Sequence, residues 1–473
     1  MGNILTNSES LRTKPETITL TIDGITHAGE GVGRYGGLAV FVPGAAPGET
    51  VLAEMDQVRK NYARARLVEV QVPSPARREP ACRHFPACGG CHLQHLAYPE
   101  QLRLKTGLVR DSLTRLAGLG DVPVRNTLGM AGDSLHYRNK VHFQIGHRFG
   151  KITLGYYGEK SHALTGLFPD GAASAALLHP GCLLADPGLN IAAAAVQELL
   201  NVCAAGAVPG KGNRFFRHVL LRKGLGTGEM MVVVVTTAGP WPLEHEFAAK
   251  LVQRHPDVRS IVRNLHDGPD ETILGRENRV LAGQPTITDR LEHWKLRLSP
   301  SSFYQVNPAQ TLLLYRNAAA FAGLRGGETV VDAYSGVGSL TLWLAAQARR
   351  VYGLEIEPAA VADARANAVL NQVANVDFQR GDVAELLPTL AATGVVPDVV
   401  MLDPPRRGCS RTVLKTVAAL EVPKVVYLSC DPGTLARDLA FLVSRGYRVD
   451  EVQPVDMFPW TPHIECVVKI EKK

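Results

Sequence analysis

The fold of this chain is decided by a stretch in its C-terminal third, Thr329-Val330-Val331-Asp332-Ala333-Tyr334-Ser335-Gly336-Val337-Gly338-Ser339. The apolar run predicts a buried strand, the two glycines predict a tight turn, and a helical pattern follows the turn. Glycine in such a turn lets the backbone approach a ligand closely. Strand and helix patterns alternate from residue 296 to residue 473, and this alternation predicts a parallel α/β sheet.

Polar side chains follow four successive predicted strands of this region, namely Ser335, Glu355, Asp382 and Asp403. Open α/β sheets bind ligands outside the carboxyl ends of their strands, so these side chains are expected to line one crevice. Glu355 is placed to accept hydrogen bonds from ribose hydroxyls, and Asp382 from the exocyclic amine of an adenine. The region has neither a phosphate-binding lysine motif nor a complete G-x-G-x-x-G. S-adenosylmethionine, which carries no phosphate, is therefore the predicted cofactor.

Cys430 ends a further predicted strand, in Val425-Val426-Tyr427-Leu428-Ser429-Cys430-Asp431-Pro432, downstream of the glycine turn. A thiolate at that strand end would face the ligand crevice and act as a nucleophile. The competing interpretation is a buried structural thiol, because free cysteine is among the most buried residue types. The cysteine taken alone favours the structural interpretation, and its place beside a predicted cofactor site favours the nucleophile.

A second group of cysteines lies nearer the N-terminus, where Cys82, Cys88 and Cys91 form the pattern C-x5-C-x2-C. Four thiolates suit a [4Fe-4S] cluster or a zinc ion. Spacing alone leaves the fourth ligand open between Cys182 and Cys203. It also leaves open that these are scattered core thiols.

The sequence patterns divide the remainder of the chain into segments with different predicted structures. Residues 1–15 are predicted to form a disordered leader. Residues 16–72 contain short alternating strands separated by glycine turns, which predict a small β-barrel. Pro73-Ser74-Pro75 predicts a linker, residues 76–295 a central α+β domain, and residues 296–473 the α/β domain.

Composition narrows the class of protein. The chain has 473 residues, of which 45% are hydrophobic and 20% charged, as in ordinary globular proteins. The net charge is +6, and residues 76–295 carry 26 basic and 19 acidic side chains. This excess permits a polyanionic partner. No apolar stretch is long enough to span a membrane and no signal peptide is evident, so a cytoplasmic location is expected.

Together these motifs resemble the RNA uracil-5-methyltransferases, which form 5-methyluridine, and most of all their iron–sulfur branch, which acts on 23S ribosomal RNA. The resemblance runs from about residue 14 to the end of the chain. It implies that residues 16–72 are a TRAM domain, an RNA-binding barrel of the OB type. It also implies a Rossmann-like methyltransferase domain and a [4Fe-4S] cluster held by Cys82, Cys88, Cys91 and Cys182.

The resemblance further implies the roles of individual residues. The segment Ser302-Phe303-Tyr304-Gln305-Val306-Asn307 is similar to a family motif whose glutamine contacts the cofactor. Cys430 is the expected nucleophile, and Glu465, in His463-Ile464-Glu465-Cys466, is the expected general base. The expected S-adenosylmethionine contacts are Gln305, Tyr334, Ser339, Glu355, Asp382 and Asp403.

The predicted function is methylation of carbon 5 of a uridine in RNA, through a covalent adduct between cysteine and carbon 6, by a monomeric enzyme. 23S ribosomal RNA is the expected substrate, and the T-loop uridine of transfer RNA is the alternative. A non-catalytic iron–sulfur RNA-binding protein would need neither Cys430 nor Glu465. A radical S-adenosylmethionine enzyme typically has C-x3-C-x2-C, whereas the first gap here is five residues. A small-molecule methyltransferase would not need residues 1–75.

Overall fold

The computed structural model describes residues 16–169, 181–209, 214–269 and 272–473. The predicted leader, residues 1–15, lies outside the described residues. The described chain forms two compact units. One unit comprises the described residues up to Ala81 together with residues 91–104 and 460–462, and the other comprises the rest.

The N-terminal region is a closed five-stranded barrel of strand order β1-β2-β3-β5-β4. Alternate residues of β1, such as Ile18, Leu20 and Ile22, point into its core and are almost fully buried. This period-two pattern is what the sequence shows, and the predicted barrel is confirmed. Its strands are β1 (Thr17–Ile25), β2 (Glu30–Tyr35), β3 (Leu38–Pro43), β4 (Thr50–Val58) and β5 (Tyr62–Val72).

The middle of the chain forms a seven-stranded sheet of order β12-β11-β10-β9-β6-β7-β8. Its strands are β6 (Lys140–Arg148), β7 (Lys151–Tyr157), β8 (Leu164–Gly166), β9 (Phe216–Lys223), β10 (Met230–Thr236), β11 (Val258–Leu265) and β12 (Glu277–Gly283). The helices of this part of the chain are α1 (Tyr98–Ala117), α2 (Pro187–Cys203) and α3 (Glu244–Arg254).

Strand β10 is buried on both faces, which explains its unbroken apolar sequence. Val232 and Val234 pack into one cluster with α2 and α3. Met231, Val233 and Val235 belong to a second cluster, which continues into the C-terminal sheet. This second cluster packs the central sheet against the C-terminal part of the same compact unit.

The C-terminal sheet has the order β17-β16-β15-β18-β19-β21-β20. Strands β15 to β19 pair in parallel, and β21 runs antiparallel between β19 and β20. The predicted alternation of strands and helices is confirmed. The elements are β13 (Ile287–Leu291), β14 (Trp294–Leu298), α4 (Pro308–Ala322), β15 (Thr329–Ala333), α5 (Ser339–Ala345), β16 (Arg350–Glu355), α6 (Pro358–Leu370), β17 (Val376–Arg380), α7 (Val383–Ala392), β18 (Val399–Leu402), α8 (Arg411–Ala419), β19 (Lys424–Ser429), α9 (Pro432–Val443), β20 (Tyr447–Val455) and β21 (Glu465–Lys472).

This strand order creates a ligand crevice. The chain starts at β15, continues through β16 and β17 on one side, and then returns to β18 and β19 on the other. The connections therefore diverge between β15 and β18, and ligands of doubly wound sheets bind at such a switch point. Among the described residues, no helix combines the length and the apolar character that a bilayer crossing requires.

Candidate active site

The turn after β15 is fixed to the end of β16. The backbone N–H groups of Tyr334 and Ser335 both donate to the Leu354 carbonyl, at 2.9 and 3.0 Å. The Gly336 N–H donates to the Glu355 carboxylate at 3.0 Å. Tyr334 has φ of 72°, a conformation that non-glycine residues seldom adopt. Residues in such conformations concentrate at ligand sites, where surrounding bonds hold them in place.

The two glycines of the turn serve different purposes. Gly338 has φ of 78° and begins α5, and a Cβ there would lie 2.8 Å from the Phe378 ring. Gly336 has φ of 54°, but a Cβ there would meet only the Phe303 carbonyl, at 3.9 Å. Gly338 is therefore required for packing as well as for conformation, whereas Gly336 leaves open space above the turn.

A cavity opens at the carboxyl ends of β15 and β18. Four of the predicted cofactor contacts line it, namely Gln305, Tyr334, Ser339 and Asp403. The other two lie beside it. Glu355 binds the turn through the Gly336 N–H. Asp382 is exposed and caps α7 by accepting a hydrogen bond from the Ala384 N–H at 2.8 Å.

The cavity is acidic. Burial, together with repulsion from Asp332 and Glu355, raises the pKa of Asp403 to about 7. Burial raises the pKa of Asp332 to about 7 as well, and Glu355 adds to the shift, although a hydrogen bond from Thr341 opposes it. Carboxyls crowded in this way are stabilised in their ionised form by a cation.

The cavity also contains an unsatisfied hydroxyl. The Oγ atom of Ser335 is buried and has no hydrogen-bond partner within the described residues. The neighbouring Ser339 hydroxyl, in contrast, shares a 2.7 Å hydrogen bond with Tyr315. Buried polar atoms without partners are rare, and a bound ligand commonly satisfies them. Acidic side chains and a free hydroxyl fit a cationic, hydrogen-bonding nucleoside such as S-adenosylmethionine.

The loop that carries Gln305 is held in place by two buried charged residues. The Asp363 carboxylate accepts hydrogen bonds from the Ser299 N–H and hydroxyl and from the Ser302 hydroxyl, at 2.6–2.7 Å. The Arg222 guanidinium donates to the carbonyls of Ser299 and Ser302, at 2.8 and 2.5 Å. These bonds fix the loop and thus the direction in which Gln305 enters the cavity.

Cys430 and Glu465 meet across two neighbouring strands. Ser429 of β19 pairs with Cys466 of β21. Continuing that antiparallel register by one residue places Cys430 opposite Glu465, and directly opposed residues share a face of the sheet. The predicted nucleophile and base therefore lie side by side at the edge of the crevice, 35 residues apart in the sequence.

Electrostatics links this pair to the cavity. Burial and the charges of Glu465 and Asp403 raise the pKa of the Cys430 thiol to about 12, while Arg406 acts to lower it. Burial and Asp403 raise the pKa of Glu465 well above its ordinary value, and Arg406 again opposes the shift. Arg406 is thus the nearby cation that favours the charged forms of both groups.

Three of the four predicted cluster ligands influence one another. The pKa of Cys88 is raised to about 11, mainly by burial. A hydrogen bond from the Gly90 N–H acts to lower this pKa, and the charges of Cys182 and Cys82 act to raise it. The charges that affect the pKa of Cys203 come instead from Lys250 and other residues near Cys203. Cys182 is therefore better placed than Cys203 to join the N-terminal cysteines.

The cysteine sulfurs are not arranged around a single ion. In the described residues, no group of three or more Cys, His, Asp or Glu side chains is close enough to hold one metal ion. Cys91 accepts a hydrogen bond from Gln94 at 3.6 Å.

Sequence reasoning assigned no role to two of these residues. Asp332 lies inside a buried strand, where the sequence pattern predicts a strand residue and no role at the site. Arg406 follows Asp403 by three residues in the same strand-end loop, and that proximity was the one available signal. Their influence on the carboxyls and on Cys430 becomes evident only once the strands are assembled.

The fold and site together define an S-adenosylmethionine-dependent methyltransferase joined to a small barrel. Residues 275–473 match the family described as tRNA (Uracil-5-)-methyltransferase, and residues 12–68 match the TRAM domain. The chain is 41% identical to an uncharacterized RNA methyltransferase of Halalkalibacterium halodurans, over 97% of this chain and 98% of that one. A relative of the same description from Clostridium tetani is 40% identical over 96% of each chain. The chain therefore belongs to the RNA (uracil-5-)-methyltransferase family and is an enzyme of that class.

A solved structure is similar over nearly the whole chain. It is the Pyrococcus abyssi tRNA (uracil-54, C5)-methyltransferase in complex with S-adenosyl-L-homocysteine. The identity is 27%, the TM-score is 0.72, and the match covers 96% of this chain and 100% of that one. The expected RNA uracil-5-methyltransferase family, methyltransferase fold, TRAM domain and S-adenosylmethionine cofactor are confirmed, and the iron–sulfur ribosomal RNA branch stays a prediction.

Proposed function

We propose that this enzyme methylates carbon 5 of a uridine in 23S ribosomal RNA through a covalent intermediate on Cys430. The observation that carries the mechanism is that the register of β19 and β21, continued by one residue, brings Cys430 opposite Glu465, whose charge acts on the thiol. The preference for ribosomal RNA rests on the resemblance of the cysteine pattern to the iron–sulfur ribosomal branch.

The Cys430 thiolate is needed because carbon 5 of uracil is by itself a weak nucleophile. When the Cys430 thiolate adds to carbon 6, a sulfur–carbon bond forms and carbon 5 acquires enolate character. S-adenosylmethionine, when bound, would supply an electrophilic methyl group. As carbon 5 bonds to this methyl, the bond between the methyl and the sulfonium sulfur would break and S-adenosylhomocysteine would be the leaving group. Arg406 favours the thiolate, and a cation bound near Asp403 would do the same by offsetting the carboxylate charge that raises the Cys430 pKa.

The base is needed because the methylated adduct still carries a proton on carbon 5. Glu465 removes this proton, the double bond re-forms, and the bond between sulfur and carbon 6 breaks with release of the Cys430 thiolate. The unusually high pKa of Glu465 makes it a strong acceptor for a weakly acidic C–H proton. The target base must leave its RNA stack to reach Cys430 and the buried Glu465.

The substrate is tested by mapping 5-methyluridine in 23S ribosomal RNA and transfer RNA from a deletion strain and its complemented parent. Loss of one or more 23S positions on deletion, with transfer RNA unchanged, is the expected result. The Pyrococcus abyssi similarity favours the second candidate, a transfer RNA uridine. Loss of 5-methyluridine only from the T-loop of transfer RNA would therefore replace the ribosomal assignment.

Cofactor binding should depend on pH. The Asp403 carboxyl, with a pKa of about 7, attracts a sulfonium only when ionised. Affinity for S-adenosylmethionine is thus expected to fall by up to about tenfold between about pH 8 and about pH 6. Calorimetric titration of the full chain measures it. S-adenosylhomocysteine has a neutral sulfur and is the matched control. Equal pH profiles for the two ligands would contradict the role of Asp403.

We further propose that Cys82, Cys88, Cys91 and Cys182 bind a [4Fe-4S] cluster. Each thiolate of such a cluster binds a different iron atom, so its sulfurs lie further apart than around one ion. The charges of Cys182 and Cys82 both act to raise the pKa of Cys88, which supports a single site for these three thiols. The cluster would connect chain segments distant in sequence, since the methyl transfer needs no redox step.

Protein purified without oxygen should therefore contain about four iron and about four sulfide per chain, because four thiolates saturate one cluster. Cys82→Ser should lose most of the iron, and the matched variant Cys203→Ser should keep it. Metal analysis and the visible absorption of the cluster measure both. Stoichiometric zinc without iron would refute the assignment.

The barrel is proposed to bind RNA through its local basic cluster, which comprises Arg59, Lys60, Arg64 and Arg66. Two of these four residues already pair with carboxylates. Arg64 forms an ion pair with Glu30, and Arg66 forms one with Glu54. Arg59 and Lys60, in the exposed turn between β4 and β5, are the better candidates for phosphate contacts.

A further inference from the structure

A surface groove beside α9 has no role in the mechanism above. Along α9, Gly433, Arg437 and Phe441 recur every four residues, so they share one face of the helix. Residues of α1 and α8 complete the groove, which is lined by Leu116, Arg411, Gly433, Arg437, Ala440 and Phe441.

Two arginines lie against the aromatic ring in this groove. The guanidinium carbon of Arg411 is 4.4 Å from the centre of the Phe441 ring, and that of Arg445 is 5.2 Å away. Neither arginine forms an ion pair with a carboxylate of the described residues. Arg437 differs, because Asp438 accepts its hydrogen bond at 2.9 Å and offsets its charge. Arg411 therefore lines the groove, and Arg445 lies beside it against the same aromatic ring, both as cations without a paired carboxylate in the part of the chain that the structure describes.

The groove begins next to the nucleophile. Helix α9 starts at Pro432, two residues after Cys430, and Gly433 already lines the groove. Phe441 lies eight residues further along α9, which is about 12 Å at 1.5 Å per residue. The groove thus extends away from the catalytic edge over a length that a few nucleotides can span.

An exposed basic loop lies between the two sites. The Arg406 carbonyl accepts a hydrogen bond from the Thr434 hydroxyl at 3.1 Å, and the Arg407 carbonyl accepts one from Arg437 at 2.8 Å. Both bonds attach this loop to α9, while the side chains of Arg406 and Arg407 remain exposed. Positive charge therefore extends from the catalytic pair to the groove.

We propose that this groove binds the single-stranded RNA next to the target uridine, with Arg411 and Arg445 contacting its phosphates. The proposal rests on the proposed function, since it takes its occupant from the RNA substrate. A polyanion complements the unpaired charges, and guanidiniums held on a ring present both a stacking plane and N–H donors. The net charge of residues 296–473 is zero, so this basic surface arises from the fold and not from composition.

The test compares two double variants of the full chain. Arg411→Ala with Arg445→Ala removes the groove cations, whereas Arg316→Ala with Arg448→Ala removes two exposed arginines that pair with carboxylates elsewhere. Binding of a short oligouridine is measured over a salt series. The groove variant should bind about tenfold more weakly and lose about 1.4 from its log–log salt slope, because two single-strand phosphate contacts are gone. The control variant should keep the wild-type slope.

A charge-conserving variant separates phosphate binding from packing. Arg411→Lys with Arg445→Lys should keep the wild-type slope, and S-adenosylmethionine affinity should be unchanged in every variant. An alanine variant with the wild-type slope, or a lysine variant that binds like the alanine variant, overturns the proposal. Because oligouridine binding needs no turnover, this result is independent of the methylation mapping that tests the proposed function.

Discussion

Cys430→Ala is expected to abolish methyl transfer, with a rate loss of about a thousandfold or more, because the variant lacks the thiol that forms the bond to carbon 6. Binding of S-adenosylmethionine should remain near the wild-type level, since Cys430 does not line the cofactor cavity. Transfer of labelled methyl groups to RNA and cofactor titration measure the two effects separately.

The control for this variant is Cys203→Ala, which removes a buried thiol from α2 and should leave methyl transfer intact. RNA that contains 5-fluorouridine gives an independent test, because fluorine cannot leave carbon 5 as a proton does. The wild-type enzyme should then form a denaturation-resistant adduct, and Cys430→Ala should form none. An active Cys430→Ala enzyme would exclude Cys430 as the nucleophile.

Local sequence patterns were sufficient to predict the barrel and the parallel sheet. The alternation in β1 has the period of a half-buried strand, and the glycine turn after β15 marks a strand–helix junction. The positions of Ser335 and Asp403 in the cavity follow from the same logic, since each comes after the end of a parallel strand. Tyr334 and Ser339 also line the cavity, but only the family resemblance implied them as cofactor contacts. Features encoded within one supersecondary unit could therefore be predicted.

Features that depend on contacts between segments distant in the sequence could not be predicted from local patterns. Nothing in the periodicity of β21 shows that it inserts between β19 and β20, yet this insertion places Glu465 opposite Cys430. Arg222 and Asp363 both form hydrogen bonds to the loop that carries Gln305, and the two residues and the loop belong to three separate segments of the chain. Asp382 lies at a strand end as predicted, but its carboxylate caps α7 outside the cavity. The domain boundaries at residues 72, 76 and 295 stay predictions.

Glu465→Gln should separate methyl transfer from product release. The amide keeps the size of the side chain but cannot accept the carbon 5 proton, so the thiolate should still add and the methyl group should still be accepted. Release should slow by about 10²–10⁴-fold, the usual contribution of a positioned general base. A methylated RNA that remains covalently bound to Cys430 is the expected product.

The trapped complex is detected by denaturing electrophoresis with labelled methyl groups and by mass spectrometry of the Cys430 peptide. Glu451→Gln serves as a matched control, because this carboxylate on β20 pairs with Arg125 away from the catalytic cysteine. In the wild-type enzyme, release should become faster as pH rises, since a carboxyl with a raised pKa acts as a base only after it ionises. Normal turnover by Glu465→Gln would assign the base to another group, and Asp403, whose charge acts on both Cys430 and Glu465, would be the next candidate.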